Sequence, residues 1–480
     1  MTNSLTTLFA PAVSEIFLLV MICVVMLVDL FLSDARRGVT YVLAQATLVV
    51  LAVLTICYVA PLGKVFTLND QFVTDSLSVL LKCFMYLMVF LLFVYGRGYV
   101  AQRQIMRGEF HVLVLVALLG GMVLTSAASL LTLYLGLELM SLPIYALVAI
   151  RRDATHGSEA AMKYFVMGAI ASGFLLYGMS LVYGATGTLQ LANISHFVGH
   201  SAQHNALLLF GLMLFIVGIG FKFGLAPFHM WVPDVYEGAP TVITALIGTM
   251  PKLAAFALLI RLVVVGLQGV HIDWQLWFTV LAVLSVFLGN VLAVVQRSIK
   301  RMFAYSTVSH VGFIFLSVAI GSAQGLNAAL FYVVVYVIMA IGGFGVLLLL
   351  SQQGIEIDDI QDLAGLNTRH VWLAFLLMLL LLSMAGVPPL LGFDAKLLVI
   401  NALVHQQSYG LAGFALVMSV VGAYYYIRVV KVMYFDAPAD NVVSVKPAKD
   451  GLCVLSINGL AVLVLGFMPS VLMGVCHIFS

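Results

Sequence analysis

The chain has 480 residues, of which 63% are hydrophobic and only 9% carry a charged side chain. Soluble domains have about 25% charged residues, so the composition excludes a soluble fold with one anchor and indicates a polytopic membrane protein. The formal net charge of +2 comes from scattered residues that form no basic stripe, which argues against nucleic-acid binding.

Apolar runs of roughly 20 residues, the length that crosses a bilayer as a helix, follow one another along the chain. Fourteen runs are predicted, and their centres lie near residues 24, 49, 86, 118, 140, 172, 215, 254, 285, 310, 338, 382, 422 and 465. Glycine and proline interrupt the seventh and the twelfth, which we expect to be broken helices. The connections are too short to form a catalytic domain outside the membrane.

The basic residues between the runs are distributed unevenly. Only Lys64 lies in a connection that follows an even-numbered run. The connections after odd-numbered runs contain Arg36, Arg37, Arg97, Arg103, Arg107, Arg151, Arg152, Arg297, Lys300, Arg301, Arg369, Lys446 and Lys449. Because basic loops stay in the cytoplasm, both termini are predicted to lie outside the cytoplasm. The connection after the seventh run is an exception, since it has Asp234 and Glu237 but no basic residue.

Runs four to eight and nine to thirteen are interpreted as two copies of a five-helix unit. The third run of each copy is broken beside a lysine, since KFGLAPFHMWVP begins with Lys222 and AGVPPLLGFDAK ends with Lys396. We interpret these lysines as counterparts. An odd number of helices inverts the second copy, and paired breaks in two inverted halves mark transport sites. The predicted units are three N-terminal helices, the first repeat, the second repeat and a C-terminal helix, at about 1–109, 110–266, 274–435 and 451–480.

Four charged residues lie in the middle of apolar runs: Glu138, Lys222, Lys252 and Lys396. A charge at that depth costs about 3 kcal/mol or more and usually has a function. A lysine removed from water holds its proton less tightly, and a nearby carboxylate strengthens that hold. If Glu138 and Lys222 meet, their attraction is about 4 kcal/mol at a separation of about 4 Å, and moving either one switches Lys222 between accepting and donating a proton. Lys252 and Lys396 are predicted to continue this relay.

Further titratable residues are secondary candidates for the relay. His229 follows the first break, and His310 lies within the tenth run. A histidine passes protons between its two ring nitrogens, although a hydrogen-bonded structural role is an equal alternative. Asp394 flanks the second break, and Lys163 and Lys300 lie near the starts of the sixth and tenth runs.

No ligand set for a metal or a redox cofactor stands out. The five cysteines are far apart within apolar runs, and CxxC, GxGxxG and phosphate-loop motifs are absent from the sequence, so we expect packing thiols and no cofactor bound to this chain. His196, His200 and His204 are four residues apart, but no carboxylate accompanies them. We interpret them as one face of an amphipathic surface segment.

Several runs resemble a known family. PFHMWVPDVYEGAPTVITALIGTMPKLAAF, GNVLAVVQRSIKRMFAYSTVSHVGF, AGVPPLLGFDAK and YYYIR are similar to the antiporter-like membrane subunits of bacterial proton-translocating NADH–quinone oxidoreductase (respiratory complex I), and in particular to the subunit N family. The resemblance covers nearly the whole chain. PDVYEGAP is fairly specific to that family, and another antiporter-like subunit typically has a glutamate where this chain has Lys396.

The resemblance implies a membrane-arm subunit that translocates protons, coupled to electron transfer from NADH to quinone in other subunits. It implies part of an enzyme without redox chemistry of its own, because FMN, iron–sulfur clusters, NADH and quinone are expected in partner subunits. Sister antiporter-like subunits are the expected neighbours. A subunit of a multi-subunit sodium–proton antiporter is the alternative, since the lysine and glutamate core is common to both; PDVYEGAP and Lys396 favour the first function.

The family's functional positions match residues of this chain. By resemblance, Lys222 is the central proton carrier and Glu138 its modulator, while Lys252 is the connector and Lys396 the outward donor. Further family positions match Lys163, Lys300 and His310. Asp394 departs from the apolar or small residue expected there, and it either acts on Lys396 or faces the break.

Overall fold

The computed structural model describes residues 9–33, 36–103, 105, 108–151, 154–201, 206–351, 356–438 and 448–479. In this part of the chain thirteen helices are long and apolar enough to cross a membrane, and the twelfth span adds two shorter helices. The predicted all-α membrane fold is therefore confirmed. Spans 1 to 14 are Ala10–Leu30, Gly38–Leu62, Ser76–Gln102, Gly108–Thr125, Leu130–Val148, Thr155–Thr186, Ala206–Phe223 with Trp231–Gly238, Thr241–Gly266, Trp274–Val294, Ile299–Ala319, Ala323–Leu350, Val371–Ala385 with Leu391–His405, Tyr409–Phe435 and Lys449–Phe467.

Short elements complete the described architecture. Two strands between spans 2 and 3, β1 (Val65–Thr67) and β2 (Phe72–Thr74), pair antiparallel with Phe66 opposite Val73. Span 2 contains a π-helical turn at Thr55–Val59, and span 8 ends in one at Ile260–Gly266. The remaining helical pieces are Ala60–Leu62, Leu191–Ser201, Gln268–Val270, Ile360–Leu363, Leu366–Arg369 and Pro469–Cys476, while the helix of span 9 begins earlier, at His271.

Spans 7 and 12 are broken at matching points, as the sequence predicts. The first half of each ends before a glycine in the left-handed region, Gly224 (φ 77°) in span 7 and Gly386 (φ 87°) in span 12. The residue after each glycine donates its N–H to a carbonyl five positions earlier, at 2.8 Å from Leu225 and 3.0 Å from Val387. This is the Schellman pattern, which glycine permits because it has no Cβ. The prolines that follow, beginning at Pro227 and Pro388, prevent the helix from resuming at once.

Span 8 is also interrupted, which was not predicted from the sequence. Its helix divides into Thr241–Gly248 and Met250–Leu259 around Thr249, whose φ of −125° and ψ of −85° are not helical. Pro251 has no N–H to donate and its ring crowds the preceding turn, which accounts for the interruption. The second piece therefore begins two residues before Lys252.

The starts of spans 5 and 10 show the repeat most directly. Ser129 and Ser298 are the N-caps of these spans, and each side-chain oxygen accepts a hydrogen bond from the backbone N–H three residues later. Each serine also pairs antiparallel with one distant residue, Ser129 with Gln190 and Ser298 with Asp359. Aligning the two serines makes Thr307 the counterpart of Glu138, and the same offset makes His310 the counterpart of Ser141 in span 5.

The core is formed by the last span of the first repeat and by the second and third spans of the second repeat. Span 8 is entirely buried and spans 10 and 11 nearly so, while spans 1, 13 and 14 expose most of their surface. The N-terminal helices have their own buried ion pair, Glu15 with Lys82 at 2.6 Å. Glu15 and Lys82 are 67 residues apart in the chain, so no local sequence pattern indicates the pairing.

Candidate functional site at the broken helices

Lys222 lies in the last turn of the first half of span 7, where a cation is favoured by the helix dipole. Its Nζ donates to Ser141 Oγ at 3.0 Å and to Tyr145 OH at 3.4 Å, both on span 5. Glu138 precedes Ser141 by three residues and Tyr145 by seven, so all three share one helix face. The structure thus brings Lys222 to the helix face that carries Glu138.

Among the described residues, Glu138 and Lys222 nevertheless form no ion pair; the partners of Lys222 Nζ are the Ser141 and Tyr145 hydroxyls. The Oε1 atom of Glu138 is buried and accepts no hydrogen bond from the described part of the protein. A buried acceptor of this kind is unusual and points to a water-linked or functional position. The expected meeting of Glu138 and Lys222 is therefore indirect, through the Ser141 face.

Lys252 binds the end of the broken helix. Its Nζ donates to the carbonyl of Phe223 at 2.8 Å and to that of Lys222 at 3.4 Å, and only 1% of the residue is exposed. The last carbonyls of a helix have no intrahelical partner and carry partial negative charge. Lys252 thus satisfies the orphan carbonyls of span 7, directly behind Lys222.

Lys396 binds the end of the broken helix of span 12, as Lys252 binds that of span 7. Its Nζ donates to the carbonyl of Ala385 at 2.8 Å, and Ala385 is the last residue of the first half of that span. Phe223 and Ala385 both immediately precede the left-handed glycine. The interpretation of Lys222 and Lys396 as positional counterparts is therefore wrong, because Lys396 follows its break and Lys222 precedes its own.

The residue that occupies the Lys222 position in the second repeat is Met384. It lies two residues before Gly386, as Lys222 lies two residues before Gly224. The sequence alone does not show that Met384 is equivalent to Lys222, since the left-handed glycine from which both positions are counted is identified only by its backbone conformation.

His310 is held between two tyrosine hydroxyls in the buried centre of the second repeat. Its Nδ1 lies 2.8 Å from Tyr332 OH and its Nε2 lies 3.0 Å from Tyr426 OH. Tyr426 OH also bonds Ser306 Oγ. Because both ring nitrogens have a hydroxyl partner that can donate or accept, this arrangement allows the ring to accept a proton at one nitrogen and release one from the other.

Lys163 lies away from the buried lysines, in a surface ion cluster. Its Nζ pairs with Asp234 and with Glu159, both at 2.9 Å, and its side chain is 43% exposed. Arg301 of span 10 pairs with Asp234 at 3.1 Å and with Glu237 at 2.8 Å. The two acids that break the charge pattern of the loops are thus neutralised by cations from neighbouring spans.

Lys300 also lies outside the buried centre, at the start of span 10. Its Nζ is 3.3 Å from Glu356 and 2.9 Å from Asp358, and 3% of its side chain is exposed. Sequence reasoning missed Glu356, which lies in a connection rich in polar residues, where a carboxylate is ordinarily solvated.

His229 and Asp394 flank the breaks without joining the lysines. The His229 ring packs edge-on against Tyr305 at a centroid distance of 6.3 Å, and its buried Nδ1 has no hydrogen-bond partner among the described residues. Asp394 is partly buried and, within the described residues, forms no ion pair with Lys396. Residues two apart on a helix point to different sides, so Asp394 does not face the Lys396 side chain.

Metal binding has no support among the residues that the structure describes, where no group of three His, Cys, Asp or Glu side chains converges. His196 and His200 stack with ring centroids 4.4 Å apart on the short helix before span 7. His204, the third histidine of that pattern, lies outside the described residues.

The site therefore consists of two polar clusters. The first contains Glu138, Lys222 and Lys252, and the second contains His310 and Lys396. No direct hydrogen bond joins the described residues of the two clusters. Aromatic rings lie between them: Phe223, whose carbonyl binds Lys252, packs on Phe315 at a centroid distance of 4.9 Å, and Lys396 Nζ lies 5.5 Å from the ring centre of Phe313. Such an arrangement suits stepwise proton transfer with an intervening rearrangement or water.

Comparisons with known proteins agree with this architecture. The profile of a family described as NADH:quinone oxidoreductase/Mrp antiporter, transmembrane, matches residues 127–422. NADH-quinone oxidoreductase subunit N of Thioalkalivibrio sulfidiphilus is 52% identical over 466 residues, which cover 97% of each chain.

Solved structures show the same fold. A chain of respiratory complex I from Thermus thermophilus with bound aureothin superposes with a TM-score of 0.82 at 30% identity, over 97% of this chain and 100% of that one. A chain of the Mrp complex from Dietzia sp. DQ12-45-1b superposes with a TM-score of 0.84 at 21% identity, over 100% and 97% of the two chains. The second likeness, at this identity, concerns the fold alone.

Proposed function

The chain belongs to the NADH:quinone oxidoreductase/Mrp antiporter transmembrane family, and on that premise we propose that it is the subunit N of a respiratory NADH–quinone oxidoreductase. It is an antiporter-like subunit that translocates protons across the membrane while other subunits transfer electrons from NADH to quinone. The observation that carries the function is the pair Lys222 and Lys252 at the open end of span 7, facing the helix that bears Glu138.

In the proposed relay, the proton passes from the first cluster to the second, and each station within the first cluster contacts the next. Lys222 exchanges a proton with the Ser141 face of span 5, where the charge of Glu138 sets how strongly the proton is held. Lys252, bound to the carbonyl beside Lys222, is the next station. His310 and Lys396 form the later stations in the second repeat, and Lys396 is the outward donor. Lys163, Lys300, His229 and Asp394 lie outside this buried line.

The surroundings of the subunit follow from the family and from the charge pattern. We propose a bacterial inner membrane location with both termini in the periplasm, since the basic residues cluster after odd-numbered spans. Its partners are other membrane-arm subunits, including sister antiporter-like subunits. The flavin, the iron–sulfur clusters and the NADH and quinone sites belong to partner subunits in this proposal.

A subunit of a sodium–proton antiporter is the lesser alternative. The likeness to the Mrp chain supports the shared fold, whereas the relatives that match 97% of the chain are subunits N. Gentle detergent purification separates the two: complex I contains flavin and reduces quinone with NADH, whereas an isolated antiporter has neither property.

Substitutions in the first cluster test the proton relay. In the intact complex, Lys222→Ala and Glu138→Ala are each expected to lower NADH oxidation by coupled membranes and proton pumping together, while the complex still assembles. Lys222→Arg is expected to impair pumping too, because a guanidinium does not release its proton. Met384→Ala, at the equivalent uncharged position, is the matched control. Normal pumping in both alanine variants of the relay would refute the proposed roles.

A further inference from the structure

Glu356 is the most highly coordinated carboxylate among the described residues. Its oxygens accept hydrogen bonds from Tyr99 OH at 3.0 and 3.1 Å, from Thr241 Oγ1 at 2.5 Å and from Arg103 Nη2 at 2.5 Å. Lys300 Nζ adds an ion pair at 3.3 Å. Only 21% of the Glu356 side chain is exposed.

These four partners come from three of the four predicted units of the chain. Tyr99 and Arg103 lie at the end of span 3 in the N-terminal helices, Thr241 is the first residue of span 8 in the first repeat, and Lys300 opens span 10 in the second. The partners also contact one another, since Thr241 N donates to Tyr99 OH at 3.1 Å. A single carboxylate therefore joins the ends of three spans from three units.

The backbone around Glu356 fixes the carboxylate beside span 10. Ile299 N donates to Asp358 O at 2.8 Å, and Ile360 N donates to Arg297 O at 2.9 Å. The first repeat has the same two bonds, from Leu130 to Leu189 and from Leu191 to Ala128, at 2.9 and 3.1 Å. The frame is thus common to both repeats, and the ion cluster is particular to the second.

Lys300 requires a nearby anion. A cation at the first turn of a helix opposes the helix dipole, and a buried ammonium without a partner is strongly unfavourable. Glu356 and the more exposed Asp358 supply the compensating charge. Burial alone raises the pKa of Glu356, but Lys300, Thr241, Arg103 and Tyr99 outweigh it and hold the pKa below its usual value of 4.5, so the carboxylate is ionised at neutral pH.

The cluster lies at a similar distance from both parts of the relay. Thr241 precedes Lys252 by eleven residues, with the interruption at Thr249 between them, and Lys300 precedes His310 by ten within one helix. At about 1.5 Å per residue the separation of Lys300 from His310 is about 15 Å along the helix, and that of Thr241 from Lys252 is comparable. That is half of the roughly 30 Å thickness of the bilayer core. Fixing the starts of spans 8 and 10 to one carboxylate therefore fixes the relative depth of Lys252 and His310.

We propose that Glu356 is a positioning residue that holds spans 3, 8 and 10 in register and so keeps the two polar clusters at the depth that proton transfer between them requires. This proposal rests on the proposed function for its effect on pumping. Its structural half, the register of the three span ends, is measurable independently of pumping.

The test uses the complete complex with Glu356→Gln and Glu356→Asp. Asp450→Asn is the matched control, because the pair of Asp450 with Arg97 at 3.1 Å is about half exposed on both sides and such surface pairs contribute little. Hydrogen exchange is measured on peptides that contain Thr241 and Lys300, and protons pumped per electron are measured in sealed vesicles.

The Gln variant is expected to exchange about tenfold faster at both peptides, because charged hydrogen bonds are lost. Lys222→Ala is introduced both into the wild-type complex and into the Glu356→Gln complex. The number of protons per electron that Lys222→Ala removes is expected to be smaller in the Glu356→Gln complex by about twofold or more. Glu356→Asp, which keeps the charge on a shorter side chain, is expected to restore part of both quantities, and Asp450→Asn to change neither.

Each of the other possible results contradicts one part of the proposal. Unchanged exchange in Glu356→Gln overturns the positioning role. Faster exchange with normal pumping overturns its link to transfer, provided that Lys222→Ala lowers pumping; if Lys222→Ala also pumps normally, the proposed function fails instead. If Glu356→Gln does not assemble, Thr241→Val removes one donor and leaves the charge, and unchanged exchange in that variant overturns the proposal.

Discussion

The two broken helices have the same backbone and different charges. In each, a lysine binds the carbonyl before a left-handed glycine, Lys252 at span 7 and Lys396 at span 12. Lys252 comes from the next span, whereas Lys396 comes from the second half of its own span. The shared part is the satisfaction of an orphan carbonyl at a helix end.

The positions around the two breaks differ in what they can titrate. Lys222 and Glu138 of the first repeat correspond to Met384 and Thr307 of the second. His310 stands where Ser141 stands in the first. The first repeat therefore has an acid and a base that can modulate each other, and the second has an imidazole between hydroxyls. The two repeats therefore share the capped helix end, and in the proposed mechanism charge switching belongs to the first repeat.

The largest effect is expected from replacing the two capping lysines. Lys252→Met and Lys396→Met each leave a buried carbonyl unsatisfied, which costs about 1–3 kcal/mol, and each removes a proton carrier. Both variants are expected to abolish the pumping of this subunit and to lower the melting temperature of the purified complex. The Gln variants retain a donor without a transferable proton, so they are expected to lose pumping and keep stability.

These four variants separate capping from proton transfer at each break. Normal pumping in Lys396→Gln with a loss in Lys252→Gln would confine proton transfer to the first repeat. Equal losses in both would extend it to both. Met384→Ala, which alters neither a cap nor a charge, is the reference for packing effects.

A smaller effect is expected from Gly224→Ala and Gly386→Ala. Both glycines have positive φ, which costs other residues about 1–2 kcal/mol. The new Cβ meets Val232 Cγ2 at 2.6 Å in the first case and Lys396 Cδ at 2.9 Å in the second. A branched valine on a helix yields little, whereas the lysine side chain moves.

The two glycine variants are therefore expected to differ in kind. Gly224→Ala should lower the melting temperature more, and Gly386→Ala should reduce pumping more relative to its loss of stability, because it displaces Lys396 directly. Melting and pumping assays on the same preparations check this. The reverse ranking would show that the two breaks do not respond as their contacts indicate.

The sequence was sufficient to predict the features that repeat along the chain and the residues whose burial costs free energy. The fourteen runs, the two breaks and the central charges of Glu138 and Lys252 follow from hydropathy and from the cost of burying charge. Pairings between distant residues did not follow, because they depend on packing: Lys300 with Glu356 spans 56 positions. The equivalence of Lys252 and Lys396 also required the backbone, since Lys252 follows its glycine by 28 residues, in the next span, whereas Lys396 follows its own by 10.

Acid is expected to affect the two repeat starts differently. The pKa of Glu356 is held below the unfolded value of 4.5, so its stabilisation is present above about pH 4.5 and is lost as the pH falls through the folded pKa. The corresponding positions of the first repeat, Leu131 and Gly187, are uncharged. Exchange at 299–301, normalised to intrinsic rates, is expected to accelerate on acidification below that pH, while exchange at 130–132 does not. Equal acid responses would mean that Glu356 does not hold the start of span 10.

The smallest effect is expected from Asp394→Asn. Asp394 is partly buried, forms no ion pair with Lys396, and lies two positions from it on the helix, so its charge contributes little to how Lys396 binds Ala385. The change is expected to alter stability by less than about 0.5 kcal/mol, as for most surface substitutions, and to leave pumping near the wild-type rate. Proton pumping and NADH oxidation in the same vesicles measure this. A strong loss of pumping would make Asp394 the counter-ion of Lys396, and the second repeat would then contain a carboxylate–lysine pair of its own, which removes the difference between the two repeats.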